Sequence, residues 1–318
     1  MMFCANEAWK NITTNGNNIL LVTHIGPDGD ALGSVFALAH ALAQAGKSPR
    51  IYLDVYNEKY DVVEGKSFIC ADLSEHQWDV LVAVDCGDFN RVFVPQEVFE
   101  GAGITVNIDH HVNSDNFATH NYVEPTAAAA CELVYDIIPV DRLSKNVADA
   151  LYLGIVTDTG AFKYSSTSPR TMEIAAELMR AGADFTRIQQ AVLHNRSKAE
   201  VTIFMRALGN LKFTDCGIAY TSLTLNEMYE AKARRFHLEG IVEYLLNIED
   251  VRASVFFCER ENRRVKASFR SHGVDVRQVA AQFGGGGHNF AAATDFESDF
   301  DEGVENVLNA LRKAVRDV

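Results

Sequence analysis

Acidic and imidazole side chains recur in this sequence just past apolar runs, where a folded chain could gather them. His24, Asp28 and Asp30 share the loop His24-Ile25-Gly26-Pro27-Asp28-Gly29-Asp30, directly after Ile19-Leu20-Leu21-Val22-Thr23. Asp85 closes the run Val80-Leu81-Val82-Ala83-Val84, and Asp109-His110-His111 closes Ile104-Thr105-Val106-Asn107-Ile108. Asp158 lies in Thr157-Asp158-Thr159-Gly160, after the apolar stretch Ala148 to Val156. Carboxylates mixed with imidazoles suit Mn²⁺ or Mg²⁺ better than a thiolate-seeking metal. Asp28 and Asp30 lie two apart, so an extended backbone points both the same way. Each feature also has an ordinary reading: Asp30 as a helix N-cap, Asp28-Gly29 as a turn, a lone Asp as a strand-end residue, a His pair as surface. The joint occurrence carries more weight. Asp28, Asp30, Asp85, Asp109 and Asp158 could not converge ionised without cations, because like charges in one pocket raise each other's pKa. Two divalent ions would resolve that repulsion.

The second half holds a different chemistry. Gly284-Gly285-Gly286-Gly287-His288 could crowd backbone N–H groups around an anion as a nest, with His288 as a further donor. In Lys266-Ala267-Ser268-Phe269-Arg270-Ser271, a strand would put Lys266, Ser268 and Arg270 on one face, and arginine suits bidentate phosphate recognition. From Lys232 to Arg277 ten Lys/Arg stand against seven Asp/Glu, an excess that points to a phosphate-facing surface in a chain of net charge -14. The other histidines, His40, His76, His120, His194, His237 and His272, take the ordinary reading of core or surface residues, with His194 a candidate for substrate contact.

These residues need elements to hold them. The apolar runs near residues 19–23, 51–53, 80–84 and 104–108 read as buried parallel strands, separated by helical patterns such as Ala31 to Ala45, with Val35, Leu38, Ala39 and Leu42 on one stripe. Residues 148–156 read as a helix or a strand. Strands alternating with helices predict an α/β fold with a parallel sheet, whose ligands sit outside the carboxyl ends of the strands. After about Asn195 the pattern changes: a helix over Ser197 to Leu211, strands near 218–223, 251–258 and 264–270, and a last helix near Val304 to Val315. The expected layout is a catalytic domain over 1–195, a helical connector over 196–214 and a smaller α/β substrate-binding domain over 215–318.

Composition bounds the function. At 318 residues and 47% hydrophobic, the chain has enough length for two cores and is not disordered or collagen-like. Its six cysteines are scattered with no C-x-x-C pair, which reads as reduced thiols of a cytoplasmic protein. The start lacks the basic-then-apolar pattern of a leader, and no apolar stretch reaches the ~20 residues of a membrane span. A protein that tracks along a long nucleic acid is usually basic, so a net charge of -14 argues for a small phosphate ligand and against long duplexes.

In this order the motifs resemble the DHH phosphoesterase superfamily. The segment from His24 to Ser34 looks like its first motif, Val82-Ala83-Val84-Asp85 its second, Asp109-His110-His111 its naming motif, and Thr157 to Phe162 its fourth. Phe283 to His288, with Ser268-Phe269-Arg270-Ser271 before it, is similar to the DHH-associated C-terminal domain. Size and layout most resemble the group of bifunctional oligoribonucleases (nano-RNases) and pAp phosphatases. That resemblance implies two divalent ions, Mn²⁺ before Mg²⁺. His24, Asp28 and Asp85 would hold one, and Asp30, Asp85, His110 and Asp158 the other, with Asp85 bridging. Asp109 would orient an imidazole, His111 would face the scissile phosphate, and Arg270, Ser268, Gly286, Gly287 and His288 would grip the substrate's other end. The implied reaction is in-line attack of water on RNA of about two to five nucleotides or on 3′-phosphoadenosine 5′-phosphate (pAp). The partners expected are that substrate and, at most, a second copy of the chain as a homodimer. Phe290 and Ala293 stand where the resemblance leads one to expect Asn and Gly, and Phe290 could stack on a base. Other readings are the linear dinucleotide pApA, single-stranded DNA ends, pyrophosphate, and a non-catalytic nucleotide-binding module.

Overall fold

The computed structural model describes residues 4–73 and 77–316; His76 and the side chain of His194 lie outside the described residues. The chain divides into two units, Met1–Asn195 and Arg196–Val318. The first contains β1 (Asn18–Val22), β2 (Ser48–Tyr52), β3 (Val80–Val84), β4 (Ile104–Asp109) and β5 (His120–Val123). Its helices are α1 (Ala5–Thr14), α2 (Gly29–Gln44), α3 (Gln96–Glu100), α4 (Ala130–Ile137), α5 (Lys145–Asp158), α6 (Pro169–Arg180) and α7 (Phe185–Gln189). The five strands form one wholly parallel sheet in the order β2-β1-β3-β4-β5. In this order the chain reverses its direction of travel between β1 and β3, which opens a crevice at their carboxyl ends.

Both faces of that sheet are covered, so β1 and β3 have no alternation to display. Ile19, Leu21, Val80, Val82 and Val84 pack against the main helical layer, while Leu20, Val22, Leu81 and Ala83 pack with Trp78 and Phe99 on the other side. The helix expected from Ala31 starts two residues earlier, because the Asp28 side chain caps it. It is also buried nearly all round rather than along one stripe. The sheet covers one side, and α4 and α5 cover the other. Residues 148–156 resolve to helix, within α5. The strand β5 was not read from the sequence, since His-Asn-Tyr-Val carries one buried side chain and no apolar run.

The second unit contains β6 (Lys212–Phe213), β7 (Ile218–Leu223), β8 (Ala253–Arg260), β9 (Arg264–Ser271), β10 (Gly286–His288) and β11 (Ala291–Glu297). Its helices are α8 (Lys198–Gly209), α9 (Leu225–Glu230), α10 (Ile241–Leu246), α11 (Val276–Ala281) and α12 (Phe300–Arg316). The sheet runs β10-β11-β9-β8-β7-β6 and is mixed, with β7 and β8 parallel and the other pairs antiparallel. Val255, Phe257, Val265, Ala267 and Phe269 form one face with α11 and α12. On the other face, α8, α9 and α10 cover Leu223, Phe256 and Cys258. The helix read as a connector, α8, thus buries Ile203 and Ala207 inside this unit. Among the described residues no helix is long and apolar enough to cross a membrane.

Candidate metal centre

Three strand ends and one helix end bring the site together. His24 follows β1 and Asp85 follows β3, on either side of the sheet's reversal point. Asp109 is the last residue of β4, with His110 and His111 next. Asp158 comes instead from the C-terminus of α5, the helix of the two alternatives left open for that stretch. Close packing of α2 on α5 makes that placement feasible. A methyl group at Gly33 would come within 2.4 Å of the Ala150 carbonyl oxygen, and one at Gly154 within 2.2 Å of Cys131 Sγ and 2.7 Å of Asp30 Oδ1. Only glycine lets these backbones approach so far.

Local hydrogen bonds decide which carboxylate does what. Asp28, not Asp30, caps α2: its Oδ1 accepts from the Asp30 and Ala31 amides at 3.0 and 3.1 Å. Asp30 is buried and accepts from the amides of Ala130 and Cys131 at 2.6 and 2.9 Å, tying α2 to the start of α4. Asp85 has a left-handed φ of 61°, uncommon away from glycine, with its N–H donating to the Ile108 carbonyl at 2.9 Å. Backbone strain of this kind gathers at functional sites. Beyond Asp158, Gly160, Ala161 and Phe162 are all left-handed, and the Phe162 amide donates to Thr159 Oγ1 at 3.0 Å.

The side chains meet around Asp85. Its Oδ2 lies 3.6 Å from His24 Nε2, and its Oδ1 lies 3.5 Å from His110 Nε2 and 3.6 Å from His111 Nδ1. His110 Nε2 also lies 3.9 Å from Asp30 Oδ2 and 3.7 Å from Asp158 Oδ2. These separations exceed a hydrogen bond. They approach the roughly 3–3.5 Å between neighbouring ligands that each sit about 2.1 Å from one ion. Asp85 Oδ1 is buried with no hydrogen-bond partner, an arrangement costly for a carboxylate unless a cation serves it. His24-Asp28-Asp85, Asp30-His110-Asp158 and Asp85-His110-His111 each converge with ligand atoms within 4.8 Å of one another.

The imidazoles are pre-oriented. His24 Nδ1 faces the Ile25 carbonyl at 3.1 Å and His110 Nδ1 the Ala127 carbonyl at 3.2 Å. Donation there leaves both Nε2 lone pairs toward the cluster, the usual way a second partner fixes a metal-ligating tautomer. His111 Nδ1 donates to Asp109 Oδ1 at 2.6 Å. That bond raises the His111 pKa although burial opposes it. Without a cation the cluster divides its charge unevenly. Burial and the Asp85 carboxylate push Asp30 up to about 7, and burial and Asp30 push Asp158 up to about 8. Burial also works against ionised Asp85, yet the facing imidazoles of His110 and His24 outweigh it and hold Asp85 below the usual carboxylate range. His110 gains more from Asp85, Asp30 and Asp158 than it loses by burial, and rises to about 10. A donor set of carboxylates and neutral imidazoles with one orphaned oxygen fits divalent cations.

The substrate residues read from the sequence form a group of their own in the second unit. Register places His288 beside Ala291 and Arg270 in one row, and Gly286 beside Ala293 and Ser268 in the next. All these side chains share one face, and small alanines floor it. Arg270 is held by Glu243 Oε1 at 2.7 Å and donates to the Phe269 carbonyl at 2.8 Å. The expected glycine nest is not formed. The Gly284 and Gly285 amides donate to the Ala281 and Ala280 carbonyls at the end of α11, and Gly286 to His288 pair with β11 as an edge strand. A methyl group at Gly285 would lie 2.2 Å from the Ala293 carbonyl oxygen, so the glycines serve close strand packing there. Phe290 is exposed and its carbonyl accepts from the Ser271 amide at 3.1 Å. Sequence reading missed Glu243 and the carbonyls of Ile25 and Ala127, because nothing local marks a backbone oxygen that will orient a distant ring.

The chain resembles known proteins over most of its length. Residues 18–155 match the DHH family, N-terminal domain, and residues 217–317 match the DHHA1 domain. The chain is 31% identical over 310 residues to the bifunctional oligoribonuclease and PAP phosphatase NrnA of Thermus thermophilus, covering 93% of this chain and 89% of that one. It is 25% identical over 293 residues to the protein of the same name from Bacillus subtilis, covering 89% and 90%. A crystal structure of an exopolyphosphatase-related protein from Bacteroides fragilis matches with a TM-score of 0.89 at 27% identity, covering 98% and 96%. With its acids and imidazoles at strand ends, its Asp-His-His motif and both domain types in sequence order, this chain belongs to the DHH family.

Proposed function

We propose that the protein is a metal-dependent phosphoesterase that hydrolyses short oligoribonucleotides to mononucleotides and dephosphorylates pAp to AMP. The observation that carries the reading is Asp85, whose two oxygens face two different histidine-carboxylate groups while one of them has no hydrogen-bond partner. His24, Asp28 and Asp85 would hold one divalent ion and Asp30, Asp85, His110 and Asp158 a second, Mn²⁺ or Mg²⁺. Bound there, such ions supply Lewis-acid polarisation of the phosphoryl group and a water nucleophile at neutral pH.

The chain's own residues do the rest. His24 and His110 keep Nε2 free by committing Nδ1 to carbonyls. Asp109, fully buried, fixes the His111 ring and favours its protonated form, so His111 Nε2 can donate to a phosphoryl oxygen as negative charge develops. Ser268, Arg270, Gly286 and His288 would offer a face for the substrate's other phosphate or terminal nucleotide, with Gly287, whose register partners Ala292 and Phe269 belong to the other face, contributing only backbone between them. Names of the relatives support the substrate class, and the net charge of -14 agrees with a ligand of few phosphates.

Turnover of a panel tests the reading: pAp, RNA and DNA dinucleotides, pApA, pyrophosphate and a long single strand, each with Mn²⁺ and with chelator. Release of AMP from pAp and of mononucleotide from the RNA dinucleotide, abolished by chelator, is the expected result. Cleavage of pyrophosphate or the long strand alone would overturn the substrate assignment.

A further inference from the structure

The second unit holds an unbalanced cationic cluster apart from Arg270. On β8 and β9, Cys258 lies opposite Lys266 and Arg260 opposite Arg264, so all four side chains share the face that carries Ser268 and Arg270. Arg235, just before α10, adds a third close positive charge to Arg260 and Lys266. Of the cations here only Arg264 is neutralised, its Nε bonded to Asp295 Oδ1 at 2.6 Å. Among the described residues no ion pair or side-chain hydrogen bond engages Arg235, Arg260 or Lys266, and Arg260 Nε is buried without a partner. Arg260 and Lys266 are both half-buried. Burial and mutual repulsion lower the pKa of each. Asp295, opposite Lys266 on β11, also attracts Arg260 and Lys266, but it is already bonded to Arg264; the positive charge left over, in a chain of net charge -14, is what a bound anion would stabilise.

We propose that Arg235, Arg260 and Lys266 form a second phosphate site, which takes a backbone phosphate of an oligonucleotide and leaves pAp unserved. This rests on the oligonucleotide reading above. Lys266 stands four residues before Arg270 on β9, about 13 Å at the ~3.3 Å rise of a strand, further than one phosphate group can bridge. A ligand must therefore carry phosphates further apart than the 3′ and 5′ phosphates of a single nucleotide such as pAp to use both. The site is thus a determinant of length preference rather than of chemistry.

The test compares Arg235→Ala, Lys266→Met and the double variant with the wild type, all as full chains with Mn²⁺. A ribopentanucleotide and pAp are the substrates. Loss of a charge-assisted contact predicts that kcat/KM for the pentanucleotide falls about tenfold per variant, while pAp changes less than about twofold. The salt dependence of pentanucleotide binding should also weaken by about one ion per cation removed. Equal losses on both substrates, or no loss on either, would overturn the site. Arg235 is exposed, so its variant does not disturb the core. If the wild type cleaves neither substrate, the proposed function fails on its own. The site is then judged by anisotropy of a labelled pentanucleotide: weaker binding by the variants supports it, and unchanged binding refutes it.

Discussion

Metal binding at this centre should release protons, and the number follows from the geometry. His110 faces both Asp30 and Asp158 across less than 4 Å in a mostly buried pocket, so without cations the three groups retain protons to limit their mutual charge. Asp30 titrates at about 7, Asp158 at about 8 and His110 at about 10. At pH 7 the first is therefore half protonated, the second about nine-tenths and the third fully, and a metal ion must displace about two protons in all. Calorimetric titration of the chelator-treated protein with MnCl₂ at pH 7, in two buffers of different ionisation enthalpy, reads this count directly. Over pH 6 to 8 the apparent affinity should rise by about three orders of magnitude per pH unit at the lower end and by about one and a half at the upper. The substitution Asp85→Asn should weaken Mn²⁺ binding severely, since both groups lose their shared anion. Buffer-independent heats, or an affinity flat in pH, would show that these groups do not gather around a cation and would remove the basis of the proposed chemistry.

Without metal, Asp30 and Asp158 have raised folded-state pKa values and so bind extra protons between about 4 and 8, while His110 does so between about 6.5 and 10. All three make stability fall as pH rises through those windows, so the melting temperature in chelator should be lower at pH 8.5 than at pH 5.5, and Mn²⁺ should reverse the trend. Asp109→Asn weakens the hold on His111, and kcat for pAp should drop roughly 10- to 100-fold with little change in KM or in bound metal, which elemental analysis checks. Gly154→Ala forces a methyl group against Cys131 and Asp30, and denaturant unfolding should show a loss of about 1–3 kcal/mol together with weaker Mn²⁺ binding. Glu243→Gln frees Arg270 from a competing carboxylate, so KM for pAp should fall by up to about fivefold at unchanged kcat.

The sequence by itself determined the parallel sheet and the placing of acids and imidazoles at the ends of β1, β3 and β4. Buried strands need continuous apolar residues, and an acid or imidazole directly after such a run is conspicuous. It also marked the basic excess between Lys232 and Arg277. Tertiary structure alone decided how these parts meet. That Asp158 arrives from a helix depends on α5 lying against α2 at Gly33 and Gly154, a contact between residues more than a hundred positions apart. That Asp28 caps α2 while Asp30 engages α4 depends on where Ala130 and Cys131 fall. The four glycines look alike in the chain, yet two close a helix and the next two join a sheet edge, because their partners are the carbonyls of α11 and β11. Arg235 joins Arg260 and Lys266 only once a turn outside the sheet packs beside it. Periodicity reports the path of the backbone, whereas the balance of charge in a pocket depends on side chains that only packing brings together.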